Sequence, residues 1–358
     1  MSPRNANNPA RTRFITVALL LHIPLFVYPV LRLGQWLEAP WLWTLIALVP
    51  IFFSQIFARV VLRDKEGKRV FVLRTIADFV LGIAPIAVML LAVAEVLILL
   101  FPVSSYMAAL GVVCLTTIIS IIGTYHAFNP NTVKVTLNSS KITTPQTFVQ
   151  LTDVHIGSRS TRFLRKVMEK VQQLNPDYLC ITGDFIDQPG ITAQQLSALK
   201  LYKGPIYFSI GNHEKYEDLN DIVARLRSLG VHVLRDQTMT VGDTQFIGID
   251  DKEDHNQVEK QLQHITVNPD KYSVLLYHRP RGLEACHEHG IDLMISGHTH
   301  AGQIVPFNLA VNKVFERTKG LYTHGQSSLY VSEGTGTWGP VLRLGTRSEI
   351  TLFTIKPA

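Results

Sequence analysis

Two kinds of apolar pattern divide the chain near residue 130. Before that point apolar residues run almost unbroken over roughly 14–33, 41–61, 75–101 and 106–128. Each run approaches the ~20 residues that a helix needs to cross a bilayer. After that point the apolar runs are short and alternate with amphipathic stretches. Residues 148–151, 178–182, 206–210, 244–249, 273–277, 293–296, 329–332 and 349–354 read as strands. Thr161–Leu174 places Leu164, Val167, Met168 and Val171 at helical spacing, and 217–229 does the same with Leu219, Ile222, Val223 and Leu226. Strands alternating with helices predict an α/β fold. The expected organisation is a four-helix transmembrane region over 1–130 and a folded domain over 131–358.

Composition sharpens the first half of that picture. The chain is 47% hydrophobic and 17% charged, below the ~25% charged usual for soluble domains. Disorder, collagen and coiled coil are excluded. Run 14–33 is too long for a signal-peptide h-region, and no small-residue cleavage site follows it. Pro24 and Pro29 inside it count little against a span, because neighbouring helices satisfy freed carbonyls.

Charge gives the expected orientation. Ten of the 34 Lys/Arg and five of the 28 Asp/Glu precede residue 131, so the positive excess sits in the apolar half. There it reads as membrane topology, not as the clustered basic face of a nucleic-acid binder; no nucleic-acid partner is expected. Arg4, Arg11 and Arg13 precede the first run, Arg59, Arg63, Lys65, Lys68, Arg69 and Arg74 surround the second connection, and 102–105 has no basic residue. The amino terminus, the second loop and the folded domain are expected on the cytoplasmic side of an inner membrane. Trp36, Trp41 and Trp43 are expected at the outer interface. Of two acids in the third run, Asp78 is expected near the interface and Glu95 hydrogen-bonded within the bundle or snorkelling. Three dispersed cysteines, Cys114, Cys180 and Cys286, make no disulfide framework and suit a reducing compartment.

The chemistry lies in the second half, which holds eleven of the 13 histidines. Five strand ends share one vocabulary: Thr152-Asp153-Val154-His155, Gly183-Asp184, Gly211-Asn212-His213-Glu214, His278, and Gly297-His298-Thr299-His300. In α/β folds the loops after strand C-termini carry the site. Carboxylate, amide and imidazole ligands without thiolate suit Mn, Fe, Zn or Mg. Asp153 and His155, two apart, face one way if the chain stays extended there. Gly183, Gly211 and Gly297 are expected to let the backbone turn sharply and approach the site.

The strings TDVHIG, GDFID, GNHE, YHRP and GHTHAGQ resemble the calcineurin-like metallophosphoesterases, and the last, with LYVSEGTGTWGPVLRLGTRSEITLF, looks most like the bacterial YkuE/YaeI-type branch. The resemblance covers about 145–356; the apolar front end is not part of the family core. It implies a four-layer αββα sandwich holding two divalent metal ions. By motif position Asp153, His155, Asp184 and His300 would hold one, and Asp184, Asn212, His278 and His298 the other, with Asp184 bridging. Such a pair lowers the pKa of a shared water and clamps the oxygens of an in-line displacement. His213 resembles the family histidine that protonates the leaving group. Asp187 and Glu214 are read as ligand-orienting groups or as caps of the following segments.

Four further features have plainer readings. Asp250-Asp251 read as a turn, His287 and His289 as the end of a helix, and Gly334-Thr335-Gly336 as a turn rather than a phosphate cradle. Arg159, Arg162, Arg165 and Lys166 are either at the site mouth beside the apolar stretch 304–311 or on a solvated helix face. The expected activity is hydrolysis of a phosphoester or pyrophosphate at a membrane, with a lipid-linked substrate in view. UDP-diacylglucosamine pyrophosphate hydrolysis, known in the wider superfamily, is the alternative substrate; a non-catalytic membrane sensor on the same fold is the alternative class.

Overall fold

The structure is a computed structural model and describes residues 20–62, 65 and 67–358. The chain forms two compact units. One ends at Gly123 and includes the short segment Gly339–Val341; the other comprises Thr124–Trp338 and Leu342–Ala358.

The first unit is helical. A π-type turn, Ile23–Val27, runs into α1 (Tyr28–Trp36); α2 (Trp41–Ile56) continues through a second such turn, Phe57–Val61; α3 (Lys68–Leu100) and α4 (Ser105–Phe128) follow. Among the described residues three helices are long and apolar enough to cross a membrane: Trp41–Val61, Lys68–Leu100 and Ser105–Phe128. The start of the first expected run, and Arg63 in the second connection, lie outside the described residues. At 33 residues, α3 is about 50 Å long. Pro50 and Pro85 sit inside helices.

Both acids within α3 are paired with arginines. Glu95 takes a bidentate contact from Arg32 at 2.5 and 2.8 Å and a bond from the Tyr28 hydroxyl at 3.2 Å. Asp78 is buried and bonded to Arg59 at 2.5 Å. Pairing is how ionisable groups are accommodated at membrane depth, so Glu95 is bonded within the bundle rather than extended to an interface. Trp36 departs from expectation: it is buried, with the Arg32 guanidinium 4.8 Å above its ring, while Trp41 and Trp43 are exposed.

The second unit has two six-stranded sheets. In chain order the elements are β1 (Asn131–Ser139), β2 (Gln146–Leu151), α5 (Thr161–Leu174), β3 (Tyr178–Thr182), β4 (Ile206–Ser209), α6 (Asn212–Tyr216), α7 (Leu219–Ser228), β5 (Val231–Val233), β6 (Gln237–Val241), β7 (Thr244–Gly248), α8 (Gln257–Leu262), β8 (Tyr272–Leu276), α9 (Leu283–Glu288), β9 (Leu293–Ser296), α10 (Phe307–Val314), β10 (Gly320–His324), β11 (Ser327–Val331) and β12 (Glu349–Pro357). One sheet runs β1-β12-β2-β3-β4-β5 and the other β10-β11-β9-β8-β7-β6.

Three apolar layers account for the stacking. Phe148, Cys180, Tyr207, Phe246, Leu276 and Phe353 pack between the sheets. The opposite face of the first sheet buries Phe163, Leu164, Val167, Met168 and Val171 of α5 with Ile222 and Leu226 of α7. The second sheet buries Val258 and Leu262 of α8 with Leu283 and Cys286 of α9. This is the expected αββα order. Helix α5 begins where Ser160 Oγ accepts from Phe163 N and ends at Asn175 in the left-handed region, a standard pair of stop signals.

Candidate metal centre

β2, β3 and β4 are parallel neighbours in one sheet, and β8 and β9 are parallel neighbours in the other. Their carboxyl ends deliver all five motifs to one place. Backbone bonds tie the loops together: Asp153 N donates to Gly183 O at 3.1 Å, His155 N to Asp184 O at 3.0 Å, and Gly297 N to His278 O at 2.9 Å.

The chain is not extended at Asp153 and His155. β2 ends at Leu151, and the two residues have φ of +54° and +56°. Asp184, His298 and His300 share this left-handed conformation, at +49°, +72° and +47°. Five of the seven expected ligands therefore sit in a region that costs an ordinary side chain ~1–3 kcal/mol. The side chains converge because the backbone turns at each one, not because they share a pleat. Two glycines make room for this. A Cβ on Gly211 would lie 2.3 Å from Asp184 Oδ1, and one on Gly297 would lie 2.2 Å from Asp153 Oδ2.

Among the described residues three groups could hold a metal ion, and two of them are built from expected ligands alone; the third, His155, Asp187 and His213, shares His155 with one of these. The first is Asp153, His155 and His300; the second is Asp184, His278 and His298. In the first, His155 Nε2 lies 3.2 Å from His300 Nε2, and Asp153 Oδ1 lies 3.4 Å from His300 Nε2. In the second, His278 Nε2 lies 3.1 Å from Asp184 Oδ2 and 3.1 Å from His298 Nδ1. Asn212 opens α6, and its buried Oδ1 has no hydrogen-bond partner; nor has Asp153 Oδ1. Buried acceptors without donors are costly, and each facing pair of imidazole nitrogens must hold a proton between them in the absence of a cation. An oxygen- and nitrogen-seeking cation satisfies all of these atoms, so the residues present fit divalent metals.

Electrostatics points the same way. Burial disfavours charge on His278, yet Asp184 beside it pushes its pKa up to about 10. Burial opposes ionisation of Asp184, but His278 holds it well below the usual carboxylate range. Burial, then neighbouring cationic rings, keeps His298 and His300 neutral with free lone pairs.

Behind these groups stands a set of positioning contacts. Asp187 Oδ2 lies 3.4 Å from His155 Nδ1, and its Oδ1 accepts from Ser158 N at 2.9 Å. Thr182 O lies 2.8 Å from His278 Nδ1. Such partners fix ring orientation and ligand basicity. Glu214 is fully buried and does both: it supplies the Glu half of a capping box at the start of α6 and reaches the loop that carries Asp184. Its Oε2 accepts from Asp184 N and Gly211 N, and its Oε1 from Phe185 N and Ile186 N. Burial, then the nearby Asp184, pushes its pKa up to about 7.

His213 stands outside the two groups of expected ligands, in the third with His155 and Asp187, and adjoins both. Its Nε2 is 3.9 Å from Asp184 Oδ2, and its ring centroid is 4.8 Å from that of His155. Burial, set against the pull of Asp184, lowers its pKa.

The plainer features also have definite places. Asp251 pairs with Arg279 at 2.7 Å and Asp250 with Arg235 at 2.6 Å. His287 lies in the last turn of α9 against His324. Arg162 and Arg165 line a surface pocket of about 380 Å³ with Gln194 and Gln195, and no candidate ligand shares it. Lys166 bonds to Phe128 O and Asn129 Oδ1. Arg159 alone of that basic group is buried.

The Gly334–Gly336 turn spends its donors on protein: Thr335 N bonds to Thr152 O and Gly336 N to Asp153 O, at 2.8 and 2.9 Å. Its carbonyls hold Arg343, a residue that motif reading passes over. Arg343 is fully buried, donates to the carbonyls of Glu333, Gly334 and Gly336, and lies 3.2 Å from His300 Nδ1. Burial lowers its pKa to about 10. The sequence signal was a lone cation inside the apolar run Val341-Leu342-Arg343-Leu344.

Comparison with known proteins places these features in context. Residues 146–302 match the family described as calcineurin-like phosphoesterase. An uncharacterised metallophosphoesterase of Campylobacter jejuni is 35% identical over 218 residues, which cover 58% of each chain. A bovine protein named transmembrane protein with metallophosphoesterase domain is 32% identical over 290 residues, 69% of this chain and 62% of that one. The uncharacterised metallophosphoesterase YkuE of Bacillus subtilis is 30% identical over 228 residues, 58% of this chain and 78% of that one. The chain thus spans about three fifths of the length of the first two of these relatives.

Proposed function

We propose that this chain, which belongs to the calcineurin-like metallophosphoesterase family, is a membrane-anchored hydrolase of phosphoesters or pyrophosphates that works with two divalent metal ions. The observation that carries this reading is the meeting of two ligand groups around unpartnered Asp153 Oδ1 and Asn212 Oδ1. Asp153, His155, Asp184 and His300 would hold one ion, and Asp184, Asn212, His278 and His298 the other. When bound, the ions activate water and neutralise phosphoryl charge.

The protein's own groups do the rest. Asp184, whose Oδ2 lies 3.1 Å from His278 Nε2 and whose Oδ1 accepts from His213 N, would be shared by the two sites. Asp187 and the Thr182 carbonyl hold His155 and His278 in ligating orientation. Glu214 fixes the two loops that carry Asp184 and Asn212. His213 delivers a proton to the departing oxygen. The domain division lies near residue 130. The three long apolar helices and the charge pattern support a multi-pass anchor in an inner membrane, with the catalytic unit facing the cytoplasm.

A lipid-linked phosphoester is the finer substrate reading. Its support is α10, which leaves the His300 turn and exposes Phe307, Leu309 and Val314. The deciding experiment is hydrolysis of bis-p-nitrophenyl phosphate by the purified full chain with added Mn²⁺, alongside metal analysis. Turnover lost in Asp184→Asn, with lowered metal content and an intact fold, supports the reading. Two full metal sites and a near wild-type rate in that variant would defeat it.

A further inference from the structure

Two of the exposed large apolar side chains of the second unit stand against His213. Tyr216, 64% exposed, closes the short helix that begins at Asn212, with its ring centroid 5.6 Å from the imidazole. Trp338, 58% exposed, reaches the same imidazole from a distant loop, at 6.0 Å. Neither ring is needed to fill a core, and an indole left in water is unfavourable unless something covers it.

The backbone beneath the indole is fixed on both sides. Gln303 Oε1 accepts from Trp338 N at 3.0 Å, and Gln303 Nε2 donates to Trp338 O at 3.3 Å. Gln303 closes the turn that carries His300 and has φ of +57°. Thr346 Oγ1 fixes the same turn by donating to Gln303 O at 2.6 Å. The backbone of Trp338 is therefore tied to the segment that bears a candidate metal ligand. A third ring, Phe315, lies 5.4 Å from His298, with the Arg281 guanidinium 5.2 Å above it.

We infer that Trp338 and Tyr216 form the subsite for the alcohol half of the substrate and select phosphoesters whose alcohol carries an apolar body. The inference rests on the reading of His213 as proton donor. In hydrolysis water adds its oxygen to phosphorus, the bond from phosphorus to the alcohol oxygen breaks and the His213 proton passes to that oxygen; one proton of the water stays on the phosphate and the other restores His213. The departing alcohol then lies beside His213, where the two rings are. A flat aromatic body and a flexible alkyl chain share the chemistry that these rings recognise.

The test is equilibrium binding of methyl-, benzyl- and butylphosphonate to the Mn²⁺-loaded full chain in nanodiscs, by calorimetry. Benzyl- or butylphosphonate should bind about 10-fold or more tightly than methylphosphonate, and the stronger of the two identifies a flat or a flexible body. In Trp338→Ala the preference should fall to within about 3-fold, with methylphosphonate affinity and metal content kept. Trp338→Phe should restore most of it, and Tyr216→Ala should remove part. Equal binding of all three by the wild-type chain, or an unchanged preference in Trp338→Ala, overturns the inference. Hydrolysis of bis-p-nitrophenyl phosphate without any such preference defeats the subsite alone. No phosphonate binding at all defeats the metallohydrolase reading with it.

Discussion

The Nε2 atoms of His155 and His300 face each other across 3.2 Å, and both rings are buried. A single shared proton lets one ring donate to the other but leaves Asp153 Oδ1 without a partner. A cation between them satisfies all three. The metal-free chain should therefore be measurably less stable. At free Mn²⁺ about 100 times its Kd, one site adds ~2.7 kcal/mol. For a unit of this size that corresponds to roughly 5–10 °C in Tm. Thermal unfolding of the full chain with Mn²⁺ and with a chelator checks this; identical curves contradict it.

Glu214 joins two loops through four backbone donors. Glu214→Gln keeps the volume but turns one acceptor oxygen into a donor. Whichever way the amide lies, two buried N–H groups lose their acceptor. At ~1–3 kcal/mol each, the loss should be about 2–6 kcal/mol, with reduced metal content because Asp184 and Asn212 ride on those loops. Denaturant titration of the variant measures it, and a change under about 1 kcal/mol would show that the loops hold without the carboxylate.

The Asp184–His278 pair predicts how the metal-free chain responds to pH. His278 is raised from its ordinary 6.5 to about 10, so its contribution is complete below pH about 6.5 and drains away as pH climbs towards 10. Asp184 is depressed, so its contribution holds above pH about 4 and disappears in acid. Stability without metal should peak between those limits. A cation displaces the His278 proton, so metal affinity should rise with pH and binding should release protons. Calorimetry in buffers of different ionisation enthalpy counts them; zero release would contradict the pairing.

The proposed orientation is checked with reporter fusions to the full membrane region. Fusions after Phe128 and within 64–69 should report the cytoplasm, and one within 102–105 the opposite side. A catalytic unit reported on the outer side would refute the orientation drawn from Arg and Lys positions.

The strands that carry ligands were legible because each is a compact apolar run ending in a glycine or histidine motif. β1, β5, β6 and β10 were not. They are short or half-exposed, and in β1 only Val133, Val135 and Leu137 mark an alternation among polar residues. Asp153 and His155 were legible as partners, but not how they meet: left-handed backbone at successive histidines and aspartates leaves no trace in a hydrophobic pattern. Asp187 and Glu214 stood open between two roles, because a carboxylate that binds backbone N–H groups looks in sequence like any helix cap. Trp338 is invisible for the same reason, since it is tied to Gln303 through its own backbone.

Strand order sets a timetable for synthesis. β12 lies between β1 and β2 and pairs with both, in parallel with Asn131–Ser139 and antiparallel with Gln146–Leu151. The segment that joins them, Glu349–Pro357, is made after every candidate ligand. At the ~5–20 residues per second of a working ribosome, β2 waits roughly 10–40 s for its neighbour. Throughout that interval β2 presents a bare edge, and premature termination before Glu349 would make that exposure permanent.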